Sequence, residues 1–420
     1  MAHYDFWTNR VRRSILLDAK ADYLLYGMAE GTMLELARRL RDGGDPRSLA
    51  GLCYAAAAPP EGHLPLPAYE DVAKDKATFV EMFRQFSANT EPGSAGLAQR
   101  HGNRWLVQNP PAPYPSQAEL DAVYELDYEH AVHPHYARLG EVAALHTVRF
   151  SVTTHRGCFG ECSFCAISAH QGRVIRSRSQ ASILREVAKF EKHPAFRGVI
   201  PDVGGPTANM YGWGCARTEA GEPPCADKRC SWPASCGNLH SGHGDQIRLL
   251  RELRNLPGVR KVFIASGIRH DLIMGDRQHG AVFLEELVHH HVSGQLKLAP
   301  EHSEPQVLAL MRKPGTAALV DFKKEFDRLS RAAGKPQFLT YYFLAAHPGC
   351  AEDDMARLAA FVRKELHLRP EQVQVFTPTP GTWASVMYHT ETDPFTGARI
   401  FVEKTVRGRE RQKRCLTDDR

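Results

Sequence analysis

From about residue 146 onward, short segments rich in β-branched and aromatic residues alternate with helix-length amphipathic ones, and that order confines the chain to a small set of folds. The strand-like segments are Val148–Thr153, Gly198–Val203, Val259–Ser266, Gln295–Ala299, Gln337–Leu344 and Gln372–Phe376. Apolar residues at helical spacing separate most of them, over Ser179–Lys192, Ala281–His291, Pro305–Met311, Ala318–Ala332 and Asp353–Leu366. A parallel strand pair needs a crossover long enough to hold a helix, so this order predicts an α/β fold with a parallel sheet and right-handed crossovers.

The loop after the first strand-like segment reads His155-Arg-Gly-Cys158-Phe-Gly-Glu-Cys162-Ser-Phe-Cys165, a C-x3-C-x2-C triplet. Three thiolates can hold three irons of a cubane [4Fe–4S] cluster and leave the fourth iron open to a substrate or cosubstrate. A structural zinc would need a fourth ligand, from His155 or His170, and such sites usually bring two ligand pairs from separate turns. One compact triplet at the carboxyl end of a strand, followed by a helix, favours the open cluster and an active site on a β/α barrel.

A second thiol group, Cys215-x9-Cys225-x4-Cys230-x5-Cys236, lies in a long polar loop between the second and third strands, with His240 and His243 just beyond. Loops of that length rarely order themselves. Zinc, an auxiliary iron–sulfur cluster and ordinary or redox-active thiols all remain open there. Ten cysteines spaced for metal rather than for scattered pairing point to a reducing, cytoplasmic setting. No apolar run is long enough to span a membrane, and the first residues lack the apolar core of a signal peptide. A net charge of +5 over 420 residues permits nucleic-acid binding without arguing for it.

Ahead of the alternating region the pattern is weaker. Ala21–Gly27 reads as a strand and Glu30–Leu40 as an amphipathic helix, too little for a whole doubly wound sheet. Residues 43–70, rich in Gly, Ala and Pro, read as a connection, and Asn109–Pro115 as a proline-stiffened linker. Residues 403–420 are basic and read as a solvated, partly helical terminus.

Beyond these local readings, HYDFW, VRRSIL, AKADYLLYG, QNPPAPYPSQAELDAVY, THRGCFGECSFCAI, DVGGPTANMYG, LAPEHSEPQVLALMRKP, YYFLAAHPGC and VFTPTPGT together resemble the YgiQ-type family of radical S-adenosylmethionine (radical SAM) proteins, UPF0313, over nearly the whole chain. The resemblance implies a partial (β/α)6 TIM-like barrel at 146–390 with a Cys-rich insertion at 206–245. It also implies a remnant of a cobalamin-binding-like Rossmann domain at 1–60, a connecting region at 61–145 and a basic tail at 391–420. The chain then reads as truncated at its N-terminus, and it lacks the cobalamin-type DxHxxG motif.

The implied function is that of a radical SAM enzyme whose open [4Fe–4S] cluster, on Cys158, Cys162 and Cys165, cleaves S-adenosylmethionine reductively to a 5′-deoxyadenosyl radical. Gly204 and Gly205 resemble the glycine-rich motif that meets the cosubstrate's amino group, although Pro206 stands where many relatives of the wider superfamily carry an acid. Ser266 and Arg269 resemble residues that hold its ribose and carboxylate. Glu301, His302 and His347 sit at strand ends, where substrate sites are built. The implied partners are S-adenosylmethionine, an unidentified substrate and a low-potential electron donor such as flavodoxin or ferredoxin. The competing class is a non-catalytic zinc protein that binds nucleic acid through its basic tail.

Overall fold

The structure is a computed structural model and describes residues 1–418. The expected alternation is present as a ladder of parallel segments that pair in chain order. Val152–Thr153 pairs with Val203–Gly204, and Val199–Ile200 of that second strand pairs with Lys261–Val262. Ile268 bridges to Leu298 of Gln295–Glu301, which pairs with Phe338–Ala345, which in turn pairs with Gln374–Val375. The first strand is shorter than the sequence suggests, because Leu145–Val148 forms a helical turn and only Val152–Thr153 enters the ladder.

The crossover helices form where their periodicity places them. Gln180–Phe190 starts at Ser179, whose hydroxyl accepts from the Ser182 amide, and it buries Ile183, Val187 and Phe190. Ala317–Ala332 buries Leu319, Phe322 and Phe326, and Glu352–Phe361 buries Met355 and Leu358. These side chains join the strand residues Val203, Val262, Leu296, Leu298 and Phe343 in one continuous core. Full burial of each such side chain contributes roughly 1.5–3 kcal/mol.

The first hundred residues differ from the expectation. A five-stranded sheet runs in the order Tyr23–Leu25, Leu52–Ala56, Arg104–Gln108, Leu97–His101, Leu64–Leu66. Its pairs are antiparallel except the last, so its pairing is not that of a Rossmann remnant. Cys53 pairs with Gln108, so the sheet also crosses the expected division at residue 60, and residues 43–70 contribute two strands rather than a connection. The turn joining Leu97–His101 to Arg104–Gln108 is the two-residue Gly102-Asn103, with Gly102 at φ +62°, the positive φ that a tight hairpin demands. A hairpin of His3–Asp5 and Arg10–Arg12 packs beside this sheet, where Gln99 accepts from the Ala2 amide at 2.6 Å.

The basic tail is also more ordered than expected. Val406–Thr417 is a helix capped by Thr405, and it packs on Glu352–Phe361 with Cys415 and Leu416 buried. Residues 419 and 420 of the tail lie outside the described residues.

Candidate metal centre

The triplet loop leaves the ladder at its carboxyl edge and is held from several sides. Gly157, at φ +87°, starts it, and a Cβ there would stand 2.3 Å from the Val174 carbonyl, so only glycine passes. The Cys158 amide donates to the Gly172 carbonyl at 3.1 Å, and the Cys165 amide donates to the Cys162 carbonyl at 3.0 Å. Farther along the chain, the Met311 carbonyl accepts from the Ser163 amide at 3.0 Å, and the Ala384 amide donates to Ser163 at 2.8 Å. Phe164, the aromatic just before the last cysteine, stands edge-on to the His347 ring at 6.1 Å.

The thiols crowd round a glycine. A Cβ on Gly160 would lie 3.3 Å from Cys158 Sγ, 3.8 Å from Cys162 Sγ and 3.0 Å from an Arg269 guanidinium nitrogen. Burial pushes the Cys165 thiol up to about 12, and Cys162 and Cys158 add to the rise. Burial also raises Cys162, while Lys313 and Arg269 draw it back down. His155 is fully buried under Gly205, with its Nδ1 2.9 Å from the Thr154 hydroxyl. Three soft donors on one loop, close together and beside two cations, are a ligand set that fits a cubane with one open iron.

The other expected site residues divide into two groups. Gly204 and Gly205 lie at the end of the second strand, beside the triplet loop, and a Cβ on Gly205 would meet the buried His155 ring at 2.6 Å. Ser266 and Arg269 follow the third strand, but both are already engaged within the protein. Ser266 donates through its hydroxyl and amide to Asp202. Arg269 donates through Nε at 2.7 Å and Nη2 at 2.5 Å to Asp271, a bidentate pair that leaves only Nη1 facing Gly160. Burial opposes the charge on Asp271, yet the Arg269 guanidinium holds its carboxyl down at about 2.

Glu301 and His347 reach the triplet side of the structure and His302 does not. Glu301 takes φ +67° at a register shift in its strand and sits 3.7 Å from Lys313 Nζ. Burial raises its carboxyl, with Lys313 opposing the rise. His347 Nε2 lies 3.4 Å from Ser163 Oγ, and burial lowers the imidazole to about 3. His302 instead meets Cys350 Sγ at 3.5 Å inside the core.

Lys313, Asp202, Asn209 and Asp271 were not singled out from sequence. Asn209 clamps the Arg269 backbone, accepting from its amide at 2.8 Å and donating to its carbonyl at 3.0 Å. Lys313 lies within the quoted segment LAPEHSEPQVLALMRKP, and nothing in its spacing separates it from a surface lysine.

The second thiol group is gathered by its own hairpin. Gly214–Cys215 pairs with Leu239–His240, and the Cys236 amide donates to the Cys230 carbonyl at 2.9 Å. Burial lifts the Cys230 thiol to about 11, Arg173 opposing the rise while Cys236, Cys225 and Cys215 add to it. His240 pairs with Glu219 at 2.9 Å, and the buried His243 faces Asp276 at 2.8 Å, so neither histidine joins the thiols.

Residues 1–151 match the family described as Radical SAM N-terminal, and residues 371–417 match a domain of unknown function, DUF3362. A UPF0313 protein of Fusobacterium nucleatum is 47% identical over 421 residues, covering 100% of this chain and 74% of that protein. The chain belongs to the UPF0313 family. The UPF0313 protein of Geobacter sulfurreducens is 48% identical over 99% of this chain and 68% of its own length. The fold of this UPF0313 chain is similar to that of the radical S-adenosylmethionine methyltransferase TsrM from Kitasatospora setae, solved with cobalamin and a [4Fe–4S] cluster bound. That likeness has a TM-score of 0.50 at 15% identity and covers 95% of this chain and 63% of TsrM. Among the described residues of this UPF0313 chain, no helix is long and apolar enough to cross a membrane.

Proposed function

We propose that this chain is a radical SAM enzyme, with Cys158, Cys162 and Cys165 as ligands of one [4Fe–4S] cluster and S-adenosylmethionine as its cosubstrate. The observation that carries the reading is the thiol triplet at the carboxyl edge of the parallel ladder, with Cys158 and Cys162 against Gly160 and Cys165 close enough for both to act on its thiol. The family match and the shared fold support it, as does the parallel pairing in chain order, which suits a partial (β/α)6 barrel. When bound, such a cluster supplies the electron that splits the sulfonium of S-adenosylmethionine.

The chain's own residues do the rest. Gly204 and Gly205 carry no side chain of their own at the second strand end, and that backbone suits the close approach of an amino acid moiety. Asp202 and Ser266 form one hydrogen-bonded unit at the third strand end, placed to bond hydroxyl groups. Arg269, saturated by Asp271, acts as a fixed positive charge behind the thiols instead of a fork around a carboxylate. Lys313 places a second buried charge close to Cys162, and Glu301 and His347 face the remaining space as substrate-site residues.

The test is anaerobic reconstitution with iron and sulfide, followed by dithionite, S-adenosylmethionine and an assay for 5′-deoxyadenosine. The wild type is expected to form it, and the Cys158→Ala, Cys162→Ala, Cys165→Ala variant is not. Equal yields from the two proteins would overturn the assignment.

A further inference from the structure

We propose that Cys215, Cys225, Cys230 and Cys236 hold a second iron–sulfur cluster, closed by four thiolates, across Phe159 from the triplet. Cys215, Cys225 and Cys230 border one cavity of about 210 Å³ together with Phe159, Arg173 and Arg217. A tetrahedral zinc draws its sulfurs to about 2.3 Å from one point and leaves no such space between them. Three of the thiols border open space instead of one point. A polynuclear centre fills that kind of space, and four cysteines complete its ligand set.

Three further observations support the site. The hairpin brings the fourth ligand in, because the Leu239 amide donates to the Cys236 carbonyl at 3.1 Å while Leu239 pairs with Cys215. Cationic donors already point at the sulfur. Arg217 Nη1 donates to Cys225 Sγ at 3.2 Å, and the buried Arg173 donates to the Cys225 carbonyl. Hydrogen bonds and positive charge of this kind offset the negative charge of a thiolate-bound cluster. Finally, from 214 to 240 the only buried residue is Ser231, so this segment buries too little apolar surface to offset its own ordering entropy. Bonds to a metal centre account for its order.

The two thiol groups are also neighbours. Phe159 packs on Trp213 with ring centroids 5.5 Å apart, and Cys158 and Cys230 both lie against that apolar group. Ser231 donates from its hydroxyl to the Gly160 carbonyl at 3.3 Å.

Because the ligands are separate, either site can fail alone, and one experiment distinguishes the two. Full-length wild type, the triplet variant and the Cys215→Ala, Cys225→Ala, Cys230→Ala, Cys236→Ala variant are reconstituted with iron and sulfide in the presence of equimolar zinc. Iron, acid-labile sulfide and zinc are then counted per chain. Two cubanes predict about eight irons in the wild type and about four in each variant. The triplet variant is decisive, since it leaves all four proposed ligands in place and does not depend on the quadruple variant folding. Retention of about four irons and four sulfides there supports the second cluster. No iron, or one zinc in its place, overturns it. Equal iron in wild type and triplet variant would instead strike at the first cluster and leave the second standing.

Discussion

A methyl group added at Gly205 would stand 2.6 Å from the imidazole of His155, a ring fully buried beneath the triplet loop. Gly205→Ala is therefore expected to cost about 1–3 kcal/mol through overpacking, read from urea unfolding of the apoprotein. A Gly205→Ala, His155→Ala double variant should lose less than the sum of the two single changes. Additive losses would show that the two residues are not in contact. The thiols make a second prediction at this scale. Cys165 lies at about 12 and Cys162 is raised, so each must give up a proton to become a ligand. Cluster loading is expected to release protons and to go further to completion at pH 8.5 than at pH 7, followed by absorbance during reconstitution. A pH-independent yield would show that thiol deprotonation does not limit loading. What sequence conveyed at this scale was chemical type. Three cysteines at C-x3-C-x2-C are visible in one line of text, and so are Ser266 and Arg269 after a strand. Their engagement is not visible, since Asp202 reaches Ser266 from another strand and Asp271 takes Nε and Nη2 of Arg269.

Among the elements, the helical turn Ile167–Gln171 illustrates how a short piece of structure can set the backbone of a proposed metal ligand. It ends at Gly172, φ +79°, whose carbonyl accepts from the Cys158 amide and whose missing side chain leaves room for Tyr114. Gly172→Ala would place a Cβ 2.3 Å from the Tyr114 ring, at a φ that L-residues avoid. Its expected effect is a several-fold loss of reconstituted iron, with the core melting transition still present. Iron content equal to wild type would show that the turn does not position Cys158. The parallel ladder was legible because its strands are β-branched and its helices carry unbroken apolar spacing. The N-terminal sheet was not. Leu64-Pro65-Leu66 contains a residue that donates no ladder hydrogen bond, yet it serves as an edge strand, where that is tolerated. Leu52–Ala56 hides among Gly, Ala and Pro.

Taken whole, the molecule buries several histidines in their neutral form. Burial lowers His155 and His347 to about 3, and His270 and His302 to about 4. In the unfolded chain each titrates near 6.5. Above that value neither state takes up a proton, so the full stability is present. As pH falls below about 6.5 only the unfolded chain is protonated, and stability declines until the folded values are reached. Each group then costs up to about 1.4 kcal/mol per pH unit. The urea midpoint of the apoprotein is expected to fall steeply between pH 6.5 and 5.5, and an unchanged midpoint would refute the neutral burial. The same global view bears on how the triplet loop comes to be covered. The amide of Ala384 and the carbonyl of Met311 grip Ser163, and Trp383 borders the small space beside Cys162 and Cys165. These groups belong to the last third of the chain, so during synthesis the three thiols emerge long before the structure that encloses them exists. Under the proposed cluster assignment, metal delivery has a natural window while the ribosome is still translating. Once the carboxyl-terminal helices dock, the approach to Cys162 and Cys165 narrows to the space that Trp383 borders.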